Sequence, residues 1–181
     1  MIVSLDGYIE GPNRELDWFP ENPQFEQYAD EMIDSVGIAL YGRRAYQAMV
    51  GYWPNAEKHP RSAQDLSFAK RMNALPKVVL SRTLKQADWS NTRIVSDNVT
   101  EAITELKRQA GKPIVAWAGS SLVATLTQAA LVDEYRVIIC PTVLGSGTPF
   151  FASGITPRLK LVRTTQLGSD VVVLCYEPLR T

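Results

Sequence analysis

The sequence predicts an α/β fold: a sheet with helices on both sides and an antiparallel edge. Three observations carry this. Short β-branched segments alternate with helix-like segments along most of the chain. Helices separate most of the strands, and such crossovers are what parallel strands need. The ending differs, because strand-like residues 159–166 and 171–176 meet through "LGSD" with no helix between them, which reads as an antiparallel hairpin.

Taken in order, residues 2–5 form a strand with no lead-in, so a few further residues are expected ahead of it. "NPQFEQYADEMIDSV" is a helix with Asn22 as N-cap and Pro23 at the first helical position, where its missing N–H costs nothing. Strand 37–41 runs into Gly42, and Arg43 and Arg44 then stand at what looks like a helix start. The polar, proline-flanked "PNAEKHPRS" reads as a surface loop carrying His59, and Ser62 caps "SAQDLSFAKRMNAL". Strands follow at 77–81 and 92–95. "NVTEAITELKRQAG" places Val99, Ile103, Leu106 and Ala110 on one stripe and stops at Gly111. After strand 113–117, "SSLVATLTQAAL" opens directly behind Gly119, and 134–141 is the next strand. Residues 171–175, "VVVLC", do not alternate, which predicts a strand covered on both faces. With no internal repeat or low-complexity linker, the 181 residues suit one domain, 1–181.

Composition narrows the function classes. Nineteen basic and nineteen acidic residues cancel, so nothing pulls the chain toward nucleic acid. No apolar stretch reaches the length of a membrane span, and no signal peptide is evident. Cys140 and Cys175 each lie inside an apolar run, which reads as two reduced, buried thiols of a cytoplasmic protein; a disulfide is the minor alternative. His59 is the single histidine, which argues against a histidine metal site or a Ser-His-Asp triad.

The oddest feature is the helix start at Arg43-Arg44. Unpaired N–H groups already make that end positive, so two guanidinium groups there oppose the macrodipole unless an external anion sits at the turn. Two other strand ends share this character: Ser81-Arg82, and Ala118-Gly119-Ser120-Ser121 with Leu122. Each offers hydroxyls, guanidinium groups or free backbone N–H groups to an anion, beyond the carboxyl ends of strands where α/β sheets bind ligands. Taken singly, "AGSSL" is equally a simple cap, and the arginines equally a solvated first turn. Together the turns suit a ligand with separate phosphates, such as a dinucleotide bearing a 2′-phosphate. Neither a phosphate-loop motif nor a Gly-x-Gly-x-x-Gly after the first strand occurs. "LGSGTPFF" reads as a tight loop whose aromatics pack in the core or wall a pocket.

The ordered set "SLDGYIEGP", "LYGRRAY", "KVVLSRTL", "AGSSL" and "LVDEYRVIICPTVLGSGTPFF", spanning Ser4 to Tyr176, resembles the dihydrofolate-reductase-like family. Within that family it is similar to the reductase domain of bifunctional riboflavin-biosynthesis deaminase-reductases. The resemblance implies a mixed, mostly parallel sheet with helices on both faces, NADPH as cofactor, a small-molecule substrate and a homodimer. By motif it implies that Gly42, Arg43 and Arg44 grip the dinucleotide phosphates and that Ser81 and Arg82 lie beside the adenosine 2′-phosphate. Ala118, Gly119, Ser120, Ser121 and Leu122 would hold the pyrophosphate. Two departures stand out. Dihydrofolate reductases have Gly-Gly where this chain has Ala118-Gly119, and the riboflavin-pathway enzymes have an acidic residue where this chain has Trp117. These residues include no counterpart of the deaminase domain, so riboflavin synthesis is not the expected assignment.

A nicotinamide reductase needs its acceptor polarised or protonated. Candidate groups are Asp6, Tyr8, Glu26 and Asp30. Asp6 ends the first strand, where its carboxylate faces a pocket or, as Asp-Gly, forms a turn. Glu26 falls on the helix where dihydrofolate reductases place a substrate-binding carboxylate, with Asp30 one turn on. Residues 17–25, rich in aromatics and prolines, read as a substrate lid or a packed surface loop. The leading expectation is an NADPH-dependent reductase of a small pterin- or pyrimidine-like heterocycle or related carbonyl or imine. The alternatives are a non-catalytic nucleotide- or ligand-binding module on the same fold, and a protein presenting Trp18, Trp53 and Trp89 to a partner.

Overall fold

The computed structural model describes residues 1–19, 22–109 and 111–179. Ala110, and Pro20 and Glu21 of the candidate lid, lie outside the described residues. In chain order the elements are β1 (Ile2–Ser4), β2 (Tyr8–Glu10), α1 (Pro23–Ser35), β3 (Ile38–Gly42), α2 (Arg43–Lys58) and α3 (Ala63–Ala74). They continue with β4 (Lys77–Leu80), β5 (Thr92–Val95), α4 (Val99–Arg108), β6 (Ile114–Trp117) and α5 (Ser120–Gln128). The last four are β7 (Tyr135–Cys140), β8 (Thr148–Pro149), β9 (Leu159–Leu167) and β10 (Val171–Pro178). Two compact units result, Ala29–Ala118 and Met1–Tyr28 with Gly119–Thr181.

The unit Ala29–Ala118 is built on a parallel sheet in the order β5-β4-β3-β6. Leu40 at its centre pairs with Val78 on one side and Ala116 on the other. The core gathers Ile33 from α1, Tyr46 from α2 and Met72 from α3 around Tyr41, Val79 and Trp89. The α3 start behaves as its sequence predicts, with Ser62 Oγ accepting from the Asp65 backbone N–H at 3.0 Å.

Two expectations need correction here. The polar run from Pro54 is not a loop, because α2 carries Pro54 inside it and continues to Lys58. Pro54 cannot donate to the carbonyl four residues back. Burial of Tyr46 and Ala56 on the same helix nevertheless holds the last turn. His59 follows as the C-cap and is exposed, as expected. Trp89 is not a surface aromatic: it is 3% exposed, its backbone N–H donates to the Tyr46 hydroxyl at 3.0 Å, and its indole donates to Asn73 Oδ1 at 2.7 Å. Trp18 and Trp53 are half-buried.

The other unit has a mixed sheet in the order β1-β7-β10-β9. β1 and β7 are parallel, while β10 is antiparallel to both of its neighbours. The C-terminal hairpin forms as predicted, turning at Gly168 with φ of 69°. Helices flank both faces: Phe25 and Tyr28 of α1 pack on one, and on the other the Thr127 and Tyr135 hydroxyls meet at 2.8 Å. Asn22 caps α1 as expected, Oδ1 accepting from Gln24 N–H at 2.9 Å and Phe25 N–H at 3.2 Å.

β10 departs from expectation, since residues 171, 173 and 175 are fully buried while 172, 174 and 176 are only half-buried. Cys140 and Cys175 are free and buried, so there is no disulfide, and burial pushes the Cys140 thiol up to about 11. Phe150 is buried and Phe151 packs at 5.7 Å from the Tyr135 ring, which places both aromatics in the core. The short antiparallel pair β2–β8 was not anticipated. It depends on Gly147, where a Cβ would sit 2.1 Å from the Glu10 carbonyl oxygen.

Candidate functional site

Because the β5-β4-β3-β6 sheet is parallel throughout, its carboxyl ends share one edge. The register aligns Gly42 with Leu80, Tyr41 with Trp117, and Leu80 with Val95. Gly42, Arg43, Arg44, Ser81, Arg82 and Ala118 therefore follow neighbouring strand tips, as the sequence predicts. Gly119 caps α5 in the extended conformation, and its carbonyl accepts from Leu122 and Val123 N–H at 3.0 and 3.1 Å. Ser120 and Ser121 form the first turn of α5, and Leu122 is buried.

The helix starts differ chemically. α1 and α3 have side-chain caps and an acidic residue in the first turn, Glu26 and Asp65. α2 and α5 start behind glycines, with no side-chain cap and no acid in the first turn. Their leading N–H groups are left for another acceptor. Arg43, Arg44 and Arg82 are exposed, and among the described residues none of them joins an ion pair. This donor set fits a polyanion: three guanidinium groups without internal counter-charges, near a helix N-terminus. Ser81 also serves its own turn, its Oγ accepting from Thr83 and Leu84 N–H at 3.2 and 2.9 Å.

Two cavities have linings that include none of Arg43, Arg44 and Arg82. One of about 370 Å³ lies between β5 and α4, lined by Ile94, Val95, Ser96, Asp97 and Leu106 among others. It starts at the tip of β5, whose Val95 carbonyl accepts from Ser81 N–H at 3.0 Å. The other is lined by Asp133, Glu177, Pro178 and Leu179.

The carboxylates have distinct roles. Asp6 is exposed, and both its oxygens are engaged: Oδ1 accepts from Ser4 Oγ at 2.7 Å and Leu144 N–H at 3.1 Å, Oδ2 from Gly145 N–H at 2.8 Å. The Ser4 hydroxyl bond first, with the two backbone donors, holds the Asp6 carboxyl below its ordinary range. These bonds favour the turn-forming one of its two readings. Ser4 Oγ also accepts from Tyr8 N–H at 2.9 Å, so Ser4 and Asp6 brace the turn into β2. Glu26 is exposed on the first turn of α1. Asp30 is paired with Arg71 and accepts from Gln64 Nε2 at 3.2 Å, which gives it a structural role.

Sequence reasoning missed Lys77, which is 1% exposed. Its Nζ donates to the carbonyls of Leu75 (2.6 Å), Asn73 (2.9 Å) and Ser90 (3.3 Å) and lies 4.3 Å from the Trp89 ring centroid. A lysine opening a strand gives no warning of such a cage.

Residues 1–173 match the family model described as the RibD C-terminal domain. The chain belongs to the RibD C-terminal domain family. It is 35% identical over 178 residues to YyaP of Bacillus subtilis (strain 168), an uncharacterized protein, covering 97% of this chain and 91% of that one. Among solved structures it resembles a provisionally named riboflavin biosynthesis protein from Shewanella sp. PV-4, with a TM-score of 0.77, 18% identity and coverage of 99% and 97% of the two chains. It also resembles Enterococcus faecalis dihydrofolate reductase complexed with NADP(H), with a TM-score of 0.62, 14% identity and coverage of 98% and 92%. At those identities the structures establish a fold, and that fold is dihydrofolate-reductase-like.

Proposed function

We propose that this RibD-family chain is an NADPH-dependent reductase of a small pterin- or pyrimidine-like heterocycle, or of a related carbonyl or imine. One observation carries the proposal: Arg43 and Arg44 open α2 at the carboxyl edge of a parallel sheet, beside a glycine cap, and among the described residues neither joins an ion pair. Gly42, Arg43 and Arg44 would bind dinucleotide phosphates, Ser81 and Arg82 the 2′-phosphate, and Ala118 through Leu122 the pyrophosphate. The nicotinamide supplies the hydride when bound. The chain's own task is to hold the acceptor against it and exclude water. Asp6, anionic at neutral pH, would fix the turn at Leu144-Gly145 beside the reacting groups, and Glu26 is the proposed substrate-contacting carboxylate. In this reading the protein is cytoplasmic, a homodimer, and one domain over 1–181. Among the described residues no helix is long and apolar enough to cross a membrane.

A second reading, a nucleotide-binding module without turnover, is favoured by one observation: Asp6 and Glu26 are both exposed, and the bonds to Asp6 hold its carboxyl below its ordinary range. Melting temperature and absorbance separate the two. NADPH at about a hundred times its dissociation constant stabilises by ~2.7 kcal/mol, roughly 5–10 °C for a chain of this size. NADH should give a smaller shift, and Arg43→Ala with Arg44→Ala should abolish the difference. Oxidation of NADPH with any of a panel of pterins, pyrimidines and small carbonyls identifies the reductase. A shift without oxidation selects the module, and no shift with either nucleotide defeats both readings.

A further inference from the structure

β5 ends the parallel sheet β5-β4-β3-β6, so a neighbouring strand bonds it on one side only. Its bonds to β4 fix which residues face which way. Lys77 N–H donates to the Asn91 carbonyl at 2.8 Å and Ser81 N–H to the Val95 carbonyl at 3.0 Å, so positions 91, 93 and 95 spend their backbone groups on β4. The alternate residues, Thr92 and Ile94, direct their N–H and C=O groups the other way, to the outer edge. Thr92–Val95 contains no proline and no lysine, and no bulge interrupts its register with β4, so the usual devices that close an edge are missing from it.

The cavity of about 370 Å³ between β5 and α4 lies along this strand, wholly within the unit Ala29–Ala118. Ile94, Val95, Ala102 and the buried Leu106 give it an apolar lining. Opposite charges mark its length: Arg93 near the start of β5, and Asp97 two residues beyond its end. Both are exposed, and among the described residues neither joins an ion pair. Asp97 Oδ2 accepts from Ser96 Oγ at 2.8 Å, which leaves its other oxygen for a further donor. Glu105, on the helix side, already has Arg108 at 3.7 Å. The unmatched charges are thus four positions apart, at most about 13 Å of extended chain.

We infer that β5 takes up an extended peptide segment of a partner protein as an added antiparallel strand, with a basic residue beside Asp97 and, four positions later in the peptide, an acidic residue beside Arg93. The outward backbone groups of Thr92 and Ile94 supply main-chain hydrogen bonds, and the cavity takes the apolar side chains between the two charges. A lone charge on an edge discourages pairing, whereas two of opposite sign at a fixed spacing choose a partner. Antiparallel pairing is the more stable per residue, and it sets the order, base first and acid last. The volume is at the small end for ligand clefts, which suits a few residues of chain. The inference is independent of the reductase reading, since none of Arg43, Arg44 and Arg82 lines this cavity.

Fluorescence anisotropy of the full chain with a labelled pentapeptide tests it, the probe having lysine first, glutamate last and valine at the positions between. Wild type should bind this probe, and amide exchange at Ile94 should slow when it is added. N-methylation of the fourth residue, which would stand opposite Ile94, removes one ladder donor and should weaken binding. Arg93→Glu combined with Asp97→Lys should weaken binding by about tenfold or more, with an unchanged far-UV spectrum, and should transfer the preference to the peptide with glutamate first and lysine last. No binding to wild type up to about 1 mM, equal affinity for the N-methylated probe, or an unchanged preference in the charge-swapped protein overturns the inference. Slowed exchange at Ile94 that grows with protein concentration in the absence of peptide puts a second copy on the edge and overturns it as well. A melting temperature that still responds to NADPH after any of these failures leaves the reductase reading standing.

Discussion

Replacing Lys77 with Met tests the reasoning about the core of the parallel-sheet unit most directly. Among the described residues the Lys77 ammonium joins no ion pair; it is held by three carbonyls and the Trp89 ring. Burial lowers its pKa from 10.5 to about 8. At 1.36 kcal/mol per pH unit of displacement, keeping the group charged in the native state costs about 3 kcal/mol. Met keeps the stem's packing and removes that cost. It also leaves the buried Leu75 carbonyl without its donor, at roughly 1–3 kcal/mol, and gives up about 1 kcal/mol of attraction to the Trp89 ring. The contributions nearly cancel, so Lys77→Met should be close to neutral at pH 7.

The cancellation fails at high pH. Between about 8 and 10.5 the unfolded chain holds a proton at Lys77 that the native chain has released. Wild-type stability therefore rises with pH across this window, while a Met variant has no such gain. The destabilisation by Lys77→Met should grow by roughly 3 kcal/mol from pH 7 to pH 10.5. Urea unfolding of both proteins at several pH values reads the difference, in which titrations common to both drop out. A difference that stays flat over this range refutes the account of a solvent-starved ammonium. So does a loss above about 4 kcal/mol at pH 7, which would mean that the cage stabilises the charge more than burial penalises it.

Two further outcomes bear on the other unit. Asp6→Ala should speed amide hydrogen exchange at Leu144 and Gly145 at neutral pH, and wild type should show the same loosening only when pH falls below the ordinary carboxylate value of 3.8. A depressed native pKa means that the stabilisation is present above that value and lost on acidification. Gly147→Ala, whose Cβ would lie 2.1 Å from the Glu10 carbonyl oxygen, should cost about 2–4 kcal/mol and abolish the β2–β8 pairing. An unchanged urea midpoint would show that the loop yields freely.

What the sequence revealed of the fold was mostly local. The Asn22 and Ser62 caps were legible because the acceptor and the N–H groups it serves lie two or three residues apart. The hairpin at Gly168 was legible for the same reason. Pro54 misled because its local penalty is real and only tertiary burial of α2 outweighs it. β2 and β8, of three and two residues, are too short to show a period. Trp89 sits in an aperiodic stretch, and its burial follows from partners at positions 46, 73 and 77 that no local window contains. For the candidate site, residue types and their order were legible in the chain, while the parallel register supplied the common edge.

Comparison of the helix starts strengthens the argument for an anion. Glu26, Asp65 and Glu101 give α1, α3 and α4 an acid in the first turn, as helix N-termini favour. Only α2 and α5 lack both that acid and a side-chain cap among the described helices. They are also the helices that directly follow β3 and β6, paired neighbours in the parallel sheet. A random scatter of weak caps would not select two adjacent strand tips. At α2 the departure goes further, because Arg43 and Arg44 add positive charge where each is unfavourable by ~0.3–1 kcal/mol. A bound phosphate group reverses the sign of that contribution, so the sequence that weakens α2 in the free protein is the one that would strengthen it around a dinucleotide.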